Sequence, residues 1–249
     1  MPETYLSPEL VITIKERIES VRSRIEAACT RSGRKLASVQ LLAVSKRQPI
    51  EAIIAAYQSG LRDFAENYAE EAAEKMAALA DYPGVNWEMI GHIQSRKAKL
   101  IVTGFRRIHS VDSIKLASLL NRFNEGQPLE VLLEVNVSGE SSKAGFDVVG
   151  EQALQSFLST VDELAKLERL RVSGLMIMPP LQSDPENNRG FFRQARQLAD
   201  RLNQQEDNYR FEQLSMGTSS DFEVAIEEGA TIIRLGESIF GPRSYEENK

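Results

Sequence analysis

The sequence predicts an α/β fold, a single (β/α)8 TIM barrel with an additional N-terminal helix, and three observations predict it. Eight short apolar runs alternate with eight helical stretches, more than an open doubly wound sheet usually contains. The 249 residues match the usual length of one such barrel. The residues that end the apolar runs are mostly polar, as expected where a barrel carries its site. One domain, 1–249, is therefore expected, with the helix at about 8–31 and the barrel at about 39–245.

Between Pro8 and Arg31, the residues Leu10, Val11, Ile14, Ile18, Val21, Ile25 and Ala28 recur at steps of three and four and form one helical stripe. Ser7 is expected as its N-cap, with Pro8 in the first turn. The opposite face mixes Lys15, Glu16, Glu19, Arg22 and Glu26, which marks a packing helix and not a membrane-surface helix. Strands are expected at Leu41–Ser45, Asp63–Ala65, Asn86–Gly91, Arg107–Val111, Glu130–Val137, Arg171–Met176, Gln213–Met216 and Thr231–Leu235. Helices are expected at Ile50–Ser59, Tyr68–Ala80, Gln94–Val102, Ser113–Phe123, Gly150–Leu167, Asn187–Gln204, Ser220–Gly229 and Glu237–Phe240. Pro179-Pro180 and the polar run 182–188 read as a surface loop.

Composition removes several function classes. A net charge of -6 argues against general affinity for nucleic acid or anionic membrane. Cys29 is the only cysteine, so no intramolecular disulfide can form, and a cytoplasmic location is expected. Cys29 itself reads as a helix-packing residue. Glu3 and Glu9 replace the basic flank of a secretory signal, and no apolar run reaches a membrane-spanning length of roughly 18 residues. His92, His109 and Cys29 share no metal-ligand spacing, so no metal site is expected. Dinucleotide and phosphate loops of the G-x-G-x-x-G and Walker types are absent, as is the G-x-S-x-G elbow, although a Ser-His-Asp arrangement stays open.

Lys46 directly follows the run Leu41-Leu42-Ala43-Val44, which would put its amine at the barrel mouth. Partial desolvation there would favour the neutral amine needed to condense with an aldehyde. Gly217-Thr218-Ser219-Ser220-Asp221-Phe222-Glu223 follows the seventh run, with Ser220 and Glu223 spaced as a capping box. Loops after strands seven and eight often cradle phosphate in this fold, and Gly236 would let a backbone N–H approach from the second. Glu237 beside it would have to point away from an anion. Arg234, two residues before Gly236, should face the barrel and needs an acceptor: a pyridine nitrogen, a ligand carboxylate, or Glu66 or Glu134.

At these residues the chain resembles the pyridoxal phosphate homeostasis protein family, whose barrel is similar to the N-terminal domain of alanine racemase. The resemblance runs from about Leu41 to Tyr245. It is carried by Leu42-Ala43-Val44-Ser45-Lys46, Phe64-Ala65-Glu66-Asn67-Tyr68, Ile90-Gly91-His92-Ile93-Gln94 and Asn136-Val137-Ser138 with Glu140. Further matches are Ser142-Lys143-Ala144-Gly145, Gly174-Leu175-Met176, Leu214-Ser215-Met216-Gly217, Arg234-Leu235-Gly236 and Ile239-Phe240-Gly241. The resemblance implies pyridoxal 5'-phosphate (PLP) as cofactor, with Lys46 as the lysine bearing it in a Schiff base and Arg234 facing the pyridine nitrogen. It also implies Ser215, Ser219 and Gly236 in the phosphate region and Asn67 beside the ring. Glu88, Arg96 and Thr218 depart from the family's usual His, Asn and Met.

An arginine opposite the ring nitrogen disfavours its protonation and makes the ring a poorer electron sink. Racemisation also needs a second acid-base group, which in alanine racemase comes from an additional domain and a partner subunit. A chain ending at Lys249 is expected to lack that domain. The expected function is that of a monomeric PLP carrier in cofactor homeostasis, without appreciable catalysis, that passes PLP to dependent apoenzymes. Two alternatives stand beside it. One is a low-activity amino-acid racemase or lyase using Tyr68 or His92 as the second group, and the other is a regulator whose N-terminal helix meets a partner.

Overall fold

A computed structural model describes residues 6–140, 143–205 and 210–242. Glu3, Ser142, Tyr245 and Lys249 lie outside the described residues.

The barrel strands are β1 (Gln40–Val44), β2 (Asp63–Glu66), β3 (Asn86–Met89), β4 (Arg107–Val111), β5 (Leu129–Asn136), β7 (Leu170–Met176), β8 (Gln213–Ser215) and β9 (Ile232–Leu235). They run in the order β4-β3-β2-β1-β9-β8-β7-β5, all parallel, and the β4–β5 pairing closes the ring. The expected (β/α)8 barrel with its N-terminal helix is what the chain forms. A two-residue strand, β6 (Phe146–Asp147), pairs with the end of β5 and was not expected. It is too short to leave a period-two signal.

The helices are α1 (Pro8–Arg31), α2 (Ile50–Gln58), α3 (Ala69–Ala78), α4 (Ala98–Ile101), α5 (Ile114–Phe123), α6 (Glu151–Leu164), α7 (Arg189–Gln205), α8 (Phe222–Glu227) and α9 (Glu237–Phe240). The helical stretch expected at Gln94–Val102 is shorter than expected, because a 3-10 turn at Ser95–Lys97 takes its first residues. Helix α1 buries Ile14, Ile18, Val21, Ile25, Ala28 and Cys29. It packs across α2, α8 and α9, outside the seam where the first strand meets the last. Ser7 occupies the N-cap, but its side chain makes no capping bond, and its carbonyl accepts from Val11 N–H at 3.2 Å.

Two apolar layers result from strand alternation. Leu42, Val44, Ala65, Leu132, Met176 and Ile232 fill the barrel, while a larger cluster lies between strands and helices. Close approach of backbones dictates glycine at two positions. A Cβ on Gly174 would stand 1.8 Å from the Gln213 carbonyl oxygen, and one on Gly91 would stand 2.2 Å from that of Asn67. Gly91 thereby lets the end of β3 press against Asn67. Among the described residues no helix is long and apolar enough to cross a membrane.

Candidate functional site

A cavity of about 590 Å³ opens at the C-terminal ends of β1, β2, β8 and β9, within the range of small-ligand pockets. Lys46, Asn67, Ser219, Arg234 and Gly236 line it together with Gln48, Thr218, Ser220 and Glu237. Val44, Ile90, Met178 and Leu181 supply apolar wall. Five of the six expected site residues therefore meet in one hollow, and they come from both ends of the chain.

The half-buried Lys46 sits in a turn just past β1. Arg47 has φ +58, a left-handed backbone that costs a non-glycine residue roughly 1–2 kcal/mol. That turn is pinned from below. The Arg47 N–H donates to Glu71 Oε1 at 2.5 Å. Buried Lys75 donates to the Ser45 carbonyl at 2.6 Å and to Glu66 Oε1 and Glu71 Oε1 at 2.7 Å each. Ser45 Oγ donates to Glu66 Oε1 at 2.7 Å, and burial nevertheless raises the Glu66 carboxyl. Glu66 is thus Lys75's partner and not Arg234's. Asn67 Oδ1 is buried with no hydrogen-bond partner among the described residues, so a polar ligand group beside it would satisfy an acceptor.

Across the cavity, the loop after β8 folds over Asp221. Its Oδ1 accepts from Thr218 N–H at 2.7 Å and Thr218 Oγ1 at 3.0 Å, and its Oδ2 accepts from Asn188 Nδ2 at 2.8 Å. The expected capping box does not form. A turn from Thr218 to Asp221 delays α8 until Phe222, with Asp221 at the N-cap. Glu223 instead points outward to Arg24 at 2.8 Å and Arg31 at 2.9 Å. Ser219 Oγ accepts from Ser238 N–H at 3.1 Å, which ties this loop to the one after β9. Its hydroxyl proton can donate into the cavity. Gly236 lies over Val44, where a Cβ would come within 3.3 Å of the Val44 carbonyl oxygen. Glu237 lines the rim but is exposed to solvent, which tempers its charge toward an anion.

Ser215, expected in the phosphate region, is wholly buried one layer below. Its Oγ accepts from Arg234 Nη1 at 2.7 Å and meets His109 Nδ1 at 2.8 Å. Arg234 Nη2 donates to the Ile177 carbonyl at 2.9 Å and contacts Met178 Sδ at 2.9 Å. Its acceptors are therefore a hydroxyl, a carbonyl and a sulfur, and neither Glu66 nor Glu134 bonds it. Burial lowers Arg234 to about 10, while Asp221 and Glu134 oppose that shift. Below Ser215, His109 Nε2 lies 2.6 Å from Glu88 Oε2. In the sequence, Glu88 stands out only as a departure from the family's usual His, and His109 only as one of 2 histidines. Their inward parity on neighbouring strands was the signal that could have joined them.

The Ser215, His109 and Glu88 side chains have the order of a hydrolytic triad but not its accessibility. All three are 0 % exposed, and Arg234 occupies the serine oxygen, so no substrate carbonyl can reach it. His92, paired with Asp112 at 3.1 Å, lines a separate hollow of about 320 Å³. Tyr68 is 47 % exposed beside Arg47. Arg96 bonds Gln94 on the surface at 2.9 Å. Among the described residues, no group of three or more His, Cys, Asp or Glu side chains could hold a metal ion.

The alanine racemase N-terminal domain family matches residues 18–244. The chain is 43% identical over 235 residues to the pyridoxal phosphate homeostasis protein of Pseudomonas aeruginosa, covering 94% of this chain and 97% of that one. It is 41% identical over 232 residues to the protein of the same name from Aquifex aeolicus, covering 92% and 98%. Among solved structures, PipY of Synechococcus elongatus PCC7942 with PLP bound is 38% identical, with a TM-score of 0.80 over 92% of this chain and 100% of that one. Alanine racemase from Clostridium difficile 630, at 12% identity, TM-score 0.65 and coverage of 94% and 58%, shares the fold.

Proposed function

Because this chain belongs to the pyridoxal phosphate homeostasis protein family, we propose that it binds PLP in the cavity at Lys46 and carries it as a Schiff base without appreciable catalysis. The observation that carries this reading is the meeting of one amine, one guanidinium and one hydroxyl-lined loop around a single hollow of suitable size. The cofactor, when bound, supplies an aldehyde that condenses reversibly with an amine and releases water.

Lys46 provides that amine at the rim, held by the turn that Glu71 and Lys75 anchor. Ser219 and the rim at Gly236 would hold the phosphate, with Thr218 and Ser220 beside it. Asn67, whose buried amide oxygen has no partner among the described residues, would lie beside the ring. Arg234 would face the ring nitrogen and, as a cation, would disfavour its protonation, which weakens the ring as an electron sink. His92 and Tyr68 do not line this cavity, which favours storage over racemisation. The protein acts as a cytoplasmic monomer that releases PLP to dependent apoenzymes.

The test is the absorbance spectrum of PLP-saturated protein. A near-visible band that Lys46→Ala abolishes supports the reading, and an unchanged spectrum in the variant rejects it. Overnight incubation with L- and D-amino acids, followed by chiral chromatography, should show no turnover at an ordinary enzyme rate.

A further inference from the structure

We propose that Glu88, His109 and Ser215 form a one-directional hydrogen-bond relay through the barrel that positions Arg234 against the ring nitrogen, an inference that rests on the PLP reading above. The direction follows from donor and acceptor inventory. Glu88 receives Gln40 Nε2 at 3.0 Å, Arg106 Nη2, Arg107 Nη1 at 3.3 Å and His109 Nε2 at 2.6 Å. An ionised carboxylate only accepts, so His109 Nε2 must carry the proton. Burial keeps His109 neutral, aided by the nearby Arg234 and Arg107 cations against the pull of Glu88. Its Nδ1 is then a bare lone pair, which takes the Ser215 hydroxyl proton at 2.8 Å. With that proton committed, Ser215 Oγ can only accept from Arg234 Nη1, at 2.7 Å.

Each link thus fixes the next, and Glu88 fixes them all by choosing the imidazole tautomer. Were the proton on Nδ1, Ser215 Oγ would accept from both His109 and Arg234 with its two lone pairs, and its own proton would lose His109 as acceptor in a wholly buried site. The oxygen that fixes Arg234, itself at 4 % exposure, would then be shared between two donors. A merely structural polar core would satisfy the same atoms without any tie to the ligand above. The groups that face the relay are Arg106, Arg107 and Glu130 at the base, and Asp221 and Glu134 around Arg234, with Lys46 and Glu237 in the cavity wall.

Two measurements separate these roles. The chain has only 2 histidines, so nitrogen-15 NMR of cofactor-free His92→Gln protein reports His109 alone. The relay predicts a neutral Nε2–H tautomer, which Glu88→Gln converts to a mixture. A neutral Nδ1–H form or an imidazolium in the parent overturns it. The second measurement is a pH titration of the near-visible band of PLP-loaded protein. Ser215→Ala leaves every charge in place but should raise the ring-nitrogen transition by about one pH unit, a roughly tenfold gain in proton affinity. Ser215→Thr, which keeps the hydroxyl, should restore the parent profile, and Glu88→Gln should move it in the same direction as Ser215→Ala. Folded variants with unshifted titrations overturn the relay, whereas absence of the band in the parent protein overturns the PLP reading and leaves the NMR result standing. If Ser215→Ala does not fold, the Glu88→Gln titration and the NMR arm decide alone.

Discussion

Replacing Glu134 with glutamine should stabilise the cofactor-free protein at alkaline pH and flatten its pH dependence. Glu134 shares the interior face of β5 with Leu132 and is largely buried. Burial, and then the Asp112 carboxylate, raise its carboxyl from 4.5 to about 7, against the opposing pull of Arg234 and His92. Between those values the folded protein keeps a proton that the unfolded chain has released. Stability must therefore fall as pH rises through that window and level off above it. A displacement of about 2.5 pH units, at ~1.4 kcal/mol each, sets a ceiling of about 3.5 kcal/mol on the penalty at pH 8 or so. Glutamine resembles the protonated acid in shape and cannot ionise. Urea unfolding of both proteins without cofactor should give matching stabilities near the low end of the window and a more stable variant above it. Parallel pH profiles, or a variant less stable at high pH, would refute the reasoning.

Ser219→Ala removes a hydroxyl that both bridges two loops and faces the proposed phosphate, so PLP affinity should fall by roughly 10- to 100-fold in equilibrium dialysis. Gly91→Ala would drive a Cβ to 2.2 Å from the Asn67 carbonyl oxygen, and its thermal unfolding should report a loss of about 1–3 kcal/mol or more together with weaker PLP retention. Phe64→Ala empties a wholly buried site against Trp87, at 5.7 Å between ring centroids, and should cost about 3–5 kcal/mol in denaturant melts.

The barrel was legible because each apolar run had to be buried on both faces and each was followed by a helical stripe. Arg107–Val111 and Glu237–Phe240 were placed to the residue, and most other boundaries moved by one or two positions. The mouth residues were legible for the same reason, since a strand's end fixes where Lys46 and Gly236 emerge. What escaped depended on contacts between distant segments. Glu223 has the spacing of a capping residue, yet arginines on α1, 192 and 199 residues away, recruit it instead. Arg234 announced its need for an acceptor, but the choice of Ser215 depended on the stagger between β8 and β9, where Ser215 lies opposite Ile232. Nothing in the local sequence singles out Lys75 on α3, and only the fold buries it under Ser45.

The site of cofactor attachment can be read chemically. Borohydride reduction of PLP-saturated protein, followed by proteolysis and mass spectrometry, reads that directly. One stoichiometric phosphopyridoxyl adduct, located on Lys46, is expected. An adduct mainly on another lysine, or none at all, would contradict it.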